Sequence, residues 1–344
     1  MKTQAAVLFE VNSPLEIVEL DIPSLKKGQV LVEVHYSGIC QTQLNEIKGL
    51  KGKDKFLPHT LGHEGSGKVV EVGNGVKKIK TGDFVVMSWI KGQGHDVPST
   101  VYKYNNITVN SGAISTFMTY AVVSENRLVK IPKMSMKTAS LLGCAIPTGS
   151  GIIFNEMKFV EKKSVSIWGM GGIGLSALLA AKIKKCKPII VIDVKQPKLL
   201  FAKTLGADHA ILAQDDPLTK IRGITNNQGC DFSIECVGRT EVMQQAFDSV
   251  KPSGGHLVVA GNPKKGDRFS IDPFALISGK KLTGTWGGST NIDKDIPSYV
   301  KLFIEGKFKI NRLISHTFSL NSVNESMEVL AQGKCNRAVL KLKD

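Results

Sequence analysis

The sequence predicts a mixed α/β plus β fold, in which a β-rich, partly barrel-like region accompanies a doubly wound parallel sheet. Up to about residue 150, short apolar strands are separated by Gly and Pro turns, and from about residue 165 strands alternate with helices. After about Gly288 the pattern becomes mixed again. A chain of 344 residues is long for one core, so we expect two domains.

The β-rich region is predicted from short apolar runs that are separated by Gly and Pro turns. Clear examples are Gln29–His35, Gly67–Val72 and Asp83–Met87.

The parallel sheet is predicted from short apolar runs that alternate with helical patterns. The predicted strands are 165–168, 188–193, 209–212, 232–236 and 256–260, with helices starting after the first of them and at 198–205. Beyond about Gly288 the sequence predicts helices at 296–305 and 322–331 and a closing strand at 338–341. We expect this last part to fold back onto the first region, which would make that region discontinuous.

A glycine-rich loop follows the first strand of the predicted parallel sheet and begins a helix. It reads Gly169-Met170-Gly171-Gly172-Ile173-Gly174, and Asp193 ends the next strand 19 residues after the last glycine. Gly169 permits the tight turn, Gly171 lets the backbone approach a pyrophosphate, and Gly174 permits close helix–strand packing. The pattern predicts a dinucleotide site; the alternative is a simple strand-to-helix turn.

Asp193 predicts which dinucleotide binds. A carboxylate at this place accepts hydrogen bonds from the adenosine ribose and repels a 2′-phosphate. The sequence therefore favours NAD(H) over NADP(H).

His63 and Glu64 are adjacent in the glycine-rich stretch TLGHEGSGKVVEVG. The residue four positions after His63 is Gly67, so the spacing excludes an HExxH zinc-protease helix. Cys40 and Cys144 are separate cysteines that could complete a Cys2His set for catalytic zinc. The alternative is that all three are ordinary buried side chains.

Three stretches occur together ahead of GMGGIG, namely GICQT, GHEGSGKVVEVG and GCAIPTGSG. In this order they resemble the zinc-dependent medium-chain alcohol dehydrogenases, and the similarity runs from about residue 4 to the C-terminus. The resemblance implies a discontinuous GroES-like catalytic domain at residues 1–150 and 289–344. It also implies an inserted Rossmann NAD-binding domain at residues 151–288.

The resemblance further implies the chemistry. Cys40, His63 and Cys144 would be the ligands of a catalytic zinc, and Glu64 the acid behind the metal, able to coordinate it transiently. Thr42 would take the proton of the alcohol. An alkoxide on zinc would pass hydride to NAD, and reduction of an aldehyde or ketone would follow the same path in reverse.

The remaining site residues are assigned by resemblance to the cofactor and the substrate pocket. The loop residues Gly169, Gly171, Gly172, Ile173 and Gly174, together with Asp193, Lys198, Thr148 and Arg337, would bind NAD. Trp89 would form an aromatic wall of the substrate pocket. For Trp89 the alternative is ordinary packing, and for Lys198 and Arg337 it is an exposed surface position.

Four departures from the family pattern stand out. Gln41 stands where many relatives have a phosphate-binding Arg or His, and Gln43 stands where they frequently have Asp. Asn45 replaces the relay His of some relatives, so proton transfer would run through Thr42, the cofactor ribose and water. Residues 91–112 contain no cysteine, although many relatives bind a structural zinc there. We therefore expect one catalytic zinc per subunit and no structural zinc.

The charge and composition of the chain limit the classes of molecule that it is expected to bind. The net charge is +15, from 45 Lys and Arg against 30 Asp and Glu, but the lysines are dispersed and lack interleaved aromatics, which argues against nucleic acid. The excess is compatible with a phosphorylated or nucleotide-linked substrate, but the dispersed lysines favour the alternative that they only cover solvated faces of the protein. No apolar run is long enough to span a membrane, the start resembles no signal peptide, and the six cysteines form no CxxC pair. We expect a cytoplasmic protein with a small-molecule partner.

Several alternatives stay open at this point. The substrate is an alcohol or, alternatively, a polyol or sugar-derived alcohol, including phosphorylated or nucleotide-linked ones. Other classes are a zinc-free quinone or enone reductase and a non-catalytic binding protein of the same fold. A homodimer is expected, with Phe274–Gly288 supplying an edge strand.

Overall fold

The computed structural model describes residues 1–157 and 159–343. The chain forms two compact units. The β-rich unit comprises Met1–Cys144, Asn291–Ile304 and the chain from Ile310 onwards, and the parallel-sheet unit comprises Ala145–Thr290 and Glu305–Lys309. The helix that follows Cys144 packs within the parallel-sheet unit.

The first part of the β-rich unit contains ten strands and two short helices. The strands are β1 (Lys2–Leu8), β2 (Glu16–Asp21), β3 (Gln29–Gly38), β4 (His59–Thr60), β5 (Glu64–Val72), β6 (Phe84–Ser88), β7 (Val101–Tyr104), β8 (Ile107–Asn110), β9 (Tyr120–Ser124) and β10 (Leu128–Ile131). The helices are α1 (Gln41–Ile47) and α2 (Met136–Ala139). Strands β1, β2, β7, β8 and β4 close a small barrel.

The parallel-sheet unit alternates strands and helices as the sequence predicts. Its elements are α3 (Ala145–Gly151), β11 (Val165–Trp168), α4 (Gly172–Ile183), β12 (Ile189–Asp193), α5 (Gln196–Leu205), β13 (His209–Leu212), α6 (Pro217–Ile224), β14 (Phe232–Glu235), α7 (Thr240–Asp248), β15 (His256–Val259), α8 (Pro273–Ile277) and β16 (Lys281–Gly284). The strand order is β13-β12-β11-β14-β15-β16, all parallel.

This order places a topological switch beside the glycine loop. The chain moves outward from β11 to β13 on one side and from β14 to β16 on the other, so crossovers diverge at the carboxyl ends of β11 and β14. Ligands of open parallel sheets bind at that kind of crevice. Strand β12 is buried along its whole length, as expected of a strand covered on both faces.

The end of the chain completes the β-rich unit. It contains α9 (Ile292–Ile304), β17 (Ile314–Ser319), α10 (Val323–Ala331) and β18 (Arg337–Lys341). Strand β18 pairs antiparallel with β3 and parallel with β17, extending a sheet of order β10-β6-β5-β3-β18-β17, with β9 also paired to β3. The mixed fold predicted from the sequence is therefore confirmed.

Within residues 1–157 and 159–343, no helix has the length and apolar character needed to cross a membrane.

Candidate metal centre and cofactor loop

Two cysteines and a histidine meet in the β-rich unit. Cys40 is the N-cap of α1, two residues after the end of β3. His63 immediately precedes β5, and Cys144 follows the turn at 140–143. One ligand atom from each lies within 4.8 Å of the other two. Across the described parts of the chain, this is the group of His, Cys, Asp and Glu side chains close enough to share a metal ion.

The pKa values of the two thiols are shifted in opposite directions by the hydrogen bond between them. A hydrogen bond with Cys144 lowers the pKa of Cys40 well below its usual value, against the effect of burial, and His63 lowers it further. The same hydrogen bond raises the pKa of Cys144, because burial and the neighbouring charge on Cys40 disfavour a second thiolate. A divalent cation is what stabilises two such thiolates together.

His63 is held next to the thiolate of Cys40. Burial opposes a charge on the ring, but the hydrogen bond and the charge of Cys40 outweigh it and raise the pKa of His63. Two sulfur donors and one imidazole nitrogen are a known ligand set of catalytic zinc, which keeps a fourth position open. The residues present therefore fit a zinc ion.

Gln43 lies on the first turn of α1 and is completely buried. Its Oε1 accepts a hydrogen bond from the backbone N–H of Cys40 at 2.8 Å, and its Nε2 lies 2.5 Å from Nδ1 of His63. One amide thus contacts two of the three candidate ligands.

Glu64 is buried behind the candidate ligands and forms an ion pair with Arg337 of β18. Glycines leave room for this carboxylate, since a Cβ on Gly38 would lie 2.3 Å from its Oε1 and a Cβ on Gly143 would lie 2.8 Å from its Cβ. Although burial opposes the charge on Arg337, Glu64 and then Cys40 and Cys144 raise its pKa.

The glycine loop has the backbone that its sequence predicts. Gly169 has a φ of +92°, which favours glycine, and a Cβ on Gly174 would lie only 1.9 Å from the carbonyl oxygen of Gly169. A Cβ on Gly171, the N-cap of α4, would meet no atom within 4 Å. The N-terminus of α4 therefore faces the open space that a dinucleotide pyrophosphate needs.

Asp193 ends β12 beside this loop. Its Oδ2 accepts the backbone N–H of Met170 at 2.7 Å, and its Oδ1 accepts that of Lys195 at 2.9 Å. These contacts fix the carboxylate at the carboxyl edge of the sheet. Each oxygen keeps acceptor capacity for a ribose hydroxyl.

Comparison with known proteins gives consistent results along the whole chain. Residues 26–133 match the family model described as an alcohol dehydrogenase GroES-like domain, and residues 172–305 match one described as a zinc-binding dehydrogenase. The S-(hydroxymethyl)glutathione dehydrogenases of Photobacterium damsela subsp. piscicida and Synechocystis sp. are 33% identical to this chain, covering 99% of it and 100% of each relative.

The chain belongs to the zinc-dependent medium-chain alcohol dehydrogenase family.

Solved structures of the family are closely similar. The crystal structure of benzyl alcohol dehydrogenase from Acinetobacter calcoaceticus has a TM-score of 0.91 and 31% identity, with 100% of both chains covered. An alcohol dehydrogenase zinc-binding domain protein from Burkholderia ambifaria has a TM-score of 0.93 and 29% identity, again over 100% of both chains. The protein is therefore an oxidoreductase of this family.

Several other predicted site residues lie in helices α1, α3, α4 and α5. The hydroxyl Oγ1 of Thr42 lies 3.8 Å from Sγ of Cys40, next to the candidate metal centre. Thr148 is buried in α3, and Lys198 lies partly buried on α5. Gly172 and Ile173 form the first turn of α4. Their roles toward cofactor and substrate stay predictions.

Trp89 and Arg337 have structural contacts that the sequence pattern does not indicate. Trp89 is half-buried against the hydrophobic core of the β-rich unit, and its carbonyl oxygen accepts a hydrogen bond from Arg127. Arg337 is buried rather than exposed and pairs with Glu64. Neither contact tests the predicted roles in the substrate pocket and at the cofactor phosphates.

The cysteine-free loop at residues 91–112 is organised by a carboxylate that sequence reasoning missed. Glu125 is 1% exposed, and its oxygens accept the backbone N–H groups of Lys77, Lys78 and His95 and the ring Nδ1–H of His95, at 2.6 to 2.9 Å. Asp293 additionally accepts the N–H of Gln93 at 2.6 Å. No local motif marks Glu125, because its donors lie 30 to 48 residues away.

Proposed function

We propose that this protein is an NAD-dependent zinc alcohol dehydrogenase that oxidises an alcohol, or reduces the corresponding aldehyde or ketone. The observation that carries the proposal is the approach of Cys40, His63 and Cys144 to within 4.8 Å of one another. The open N-terminus of α4 beside Asp193 supports a dinucleotide in the parallel-sheet unit.

Cys40, His63 and Cys144 would hold the zinc ion, one per chain. When bound, zinc supplies a Lewis acid that polarises the substrate oxygen and eases loss of its proton. The loop at 91–112 has no cysteine and is held instead by Glu125, which supports a single zinc.

The chain's own residues divide the remaining work. Oγ1 of Thr42 would accept the alcohol proton, because it lies beside Cys40, and would pass it on. Glu64, balanced by Arg337, would set the charge behind the metal. The glycine loop would bind the pyrophosphate, Asp193 and Lys198 the adenosine ribose, and Thr148 the nicotinamide end.

The rival classes are less well supported. A zinc-free quinone or enone reductase has no need for three converging soft ligands, and a non-catalytic protein has no need for an open glycine loop. A polyol or sugar-derived substrate is compatible with the fold but is favoured by no contact described above.

The substrate class follows from the relatives and the charge. Relatives are named for S-(hydroxymethyl)glutathione and for benzyl alcohol, both of which present a primary hydroxyl group. The net charge of +15 favours the anionic glutathione adduct. We therefore propose a primary alcohol and, of the two, S-(hydroxymethyl)glutathione.

Initial rates of NADH formation test this proposal. Zinc-loaded protein is assayed with NAD and each of the two alcohols, with a polyol as comparison, at low and high salt. We expect the highest kcat/KM with S-(hydroxymethyl)glutathione and a KM that rises with ionic strength. A higher kcat/KM with the uncharged alcohol would contradict the substrate, and no NADH from any alcohol would contradict the function.

A further inference from the structure

The amide of Gln43 can be oriented from its contacts. A backbone N–H only donates, so the atom facing Cys40 N has to be the amide oxygen, which accepts at 2.8 Å. The NH2 group therefore faces Nδ1 of His63 at 2.5 Å. Because an amide NH2 only donates, Nδ1 has to accept, and the proton of the neutral ring lies on Nε2.

A metal ion on His63 requires the opposite arrangement. Since Nδ1 faces Gln43, Nε2 is the nitrogen left for a metal, and the ring proton then lies on Nδ1. Ligating histidines almost always donate this proton to a carboxylate, a carbonyl or water. In this chain it would point at the NH2 group of Gln43, which is another donor.

Turning the amide over does not remove the conflict. Its oxygen would then accept from His63, but its NH2 group would face the N–H of Cys40. Gln43 is completely buried, so a mismatched donor cannot turn to solvent. A carboxylate in this place has only acceptor atoms and would accept from both neighbours at once.

We propose that Gln43 is a positioning residue that lowers the zinc affinity of the site, because its amide cannot accept from Cys40 and from zinc-bound His63 together. This inference rests on the proposed zinc site. The zinc affinity of the site then depends on one side chain next to the ligands as well as on the ligands themselves.

The zinc dissociation constant, measured by competition with a chromogenic chelator, tests the inference without recourse to activity. Gln43→Glu keeps the side-chain length and offers two acceptors, so we expect zinc binding to tighten about 10- to 100-fold. Asn45→Asp is the matched control: it adds the same charge on the same helix, but Asn45 contacts Gln41 rather than His63. We expect it to change the constant less than about threefold, since the hydrogen bond of Asn45 is with Gln41 and not with any of the three candidate ligands.

An unchanged or weaker zinc affinity of Gln43→Glu, or equal tightening by Asn45→Asp, would overturn the inference. If circular dichroism shows that Gln43→Glu does not fold, Gln43→Asp replaces it in the test. Asp has the same acceptor atoms on a shorter side chain, and this variant then has to tighten zinc binding. If the wild type binds zinc but neither variant binds it more tightly, this inference alone is refuted. A wild type that binds no zinc would sink the proposed function with it.

Discussion

Glu64 and Arg337 form a buried ion pair behind the candidate metal centre. Removing one partner of a buried pair leaves the other charge uncompensated, at a cost of about 3–5 kcal/mol. We expect Glu64→Gln to lower the free energy of unfolding by about this amount, measured by urea titration. The double variant Glu64→Gln/Arg337→Met is expected to recover part of the loss.

A loss below about 1 kcal/mol in Glu64→Gln, or strict additivity of the two changes, would contradict the pairing. The measured quantity is the free energy of unfolding rather than enzymatic activity, so the outcome does not depend on the identity of the substrate.

At the scale of residues, the sequence indicates the candidate ligands but not their surroundings. Cys40, His63 and Cys144 could be selected because the three stretches that contain them together resemble the family, whereas the residues alone left ordinary buried side chains as the alternative. The contacts of Gln43 with His63 and of Glu64 with Arg337 could not, because they join residues 20 and 273 positions apart with no motif between them. Such contacts depend on the strand order of the β-rich unit.

The glycine loop offers a matched pair of substitutions. A methyl group on Gly171 meets no atom, whereas one on Gly174 would lie 1.9 Å from the carbonyl oxygen of Gly169. We expect Gly171→Ala to keep the melting temperature within about 3 °C but to weaken NADH binding at least tenfold, because the methyl group occupies the space for the pyrophosphate.

Gly174→Ala is expected to lower the melting temperature by several degrees, since the helix has to move away from the strand. Melting curves and NADH fluorescence titration measure both effects. Equal NADH affinity of Gly171→Ala and wild type would argue against this loop as the dinucleotide site.

The loop around His95 is held by Glu125. Burial alone would raise the pKa of Glu125. Hydrogen bonds from the backbone N–H and the ring of His95, and from the backbone N–H groups of Lys78 and Lys77, lower this pKa to about 2. The folded-state pKa is below the usual value, so this carboxylate stabilises the fold fully above about pH 4.5, and the contribution disappears as the pH falls toward 2.

We expect Glu125→Gln to lower the free energy of unfolding at pH 7 by about 3 kcal/mol, with the difference from wild type vanishing near pH 2. Asp96→Asn in the same loop is the control: Asp96 pairs with Lys91 at an exposed site, so its loss is expected to cost less than about 1 kcal/mol. Urea titrations between pH 2 and 7 measure both. A pH-independent effect of Glu125→Gln would be inconsistent with a charged acceptor.

At the scale of elements, strands and helices were predicted more accurately than their ends. Helix α9 begins at Ile292 rather than 296, and β5 begins at Glu64 rather than 67. The first difference arises because Asp293 and Asp295 suit a first helical turn although they carry no apolar periodicity, while Pro297 inside the helix weakens the helical pattern. The second arises because Gly65 and Gly67 weaken a strand signal that pairing with β3 and β6 restores.

At the scale of the whole molecule, strand β16 is the edge of the parallel sheet, and Ile277 in the preceding α8 is 79% exposed. An unpaired strand edge and an exposed apolar residue in the segment that leads into it both favour association with a second copy. We expect light scattering to give about twice the chain mass of 37.2 kDa.

Ile277→Asp is expected to shift the mass toward that of the single chain, whereas Ile304→Asp, which changes an exposed apolar residue on α9, is expected to leave it unchanged. A mass of 37.2 kDa for the wild type at micromolar concentration would refute the dimer.

The zinc content of the purified protein, determined by elemental analysis beside NADH titration, decides whether Cys40, His63 and Cys144 hold a metal ion. We expect one zinc per 37.2 kDa chain, and almost none in Cys40→Ser, with NADH binding retained in both. Two zinc ions per chain, no zinc in the wild type, or an unchanged zinc content in Cys40→Ser would contradict it.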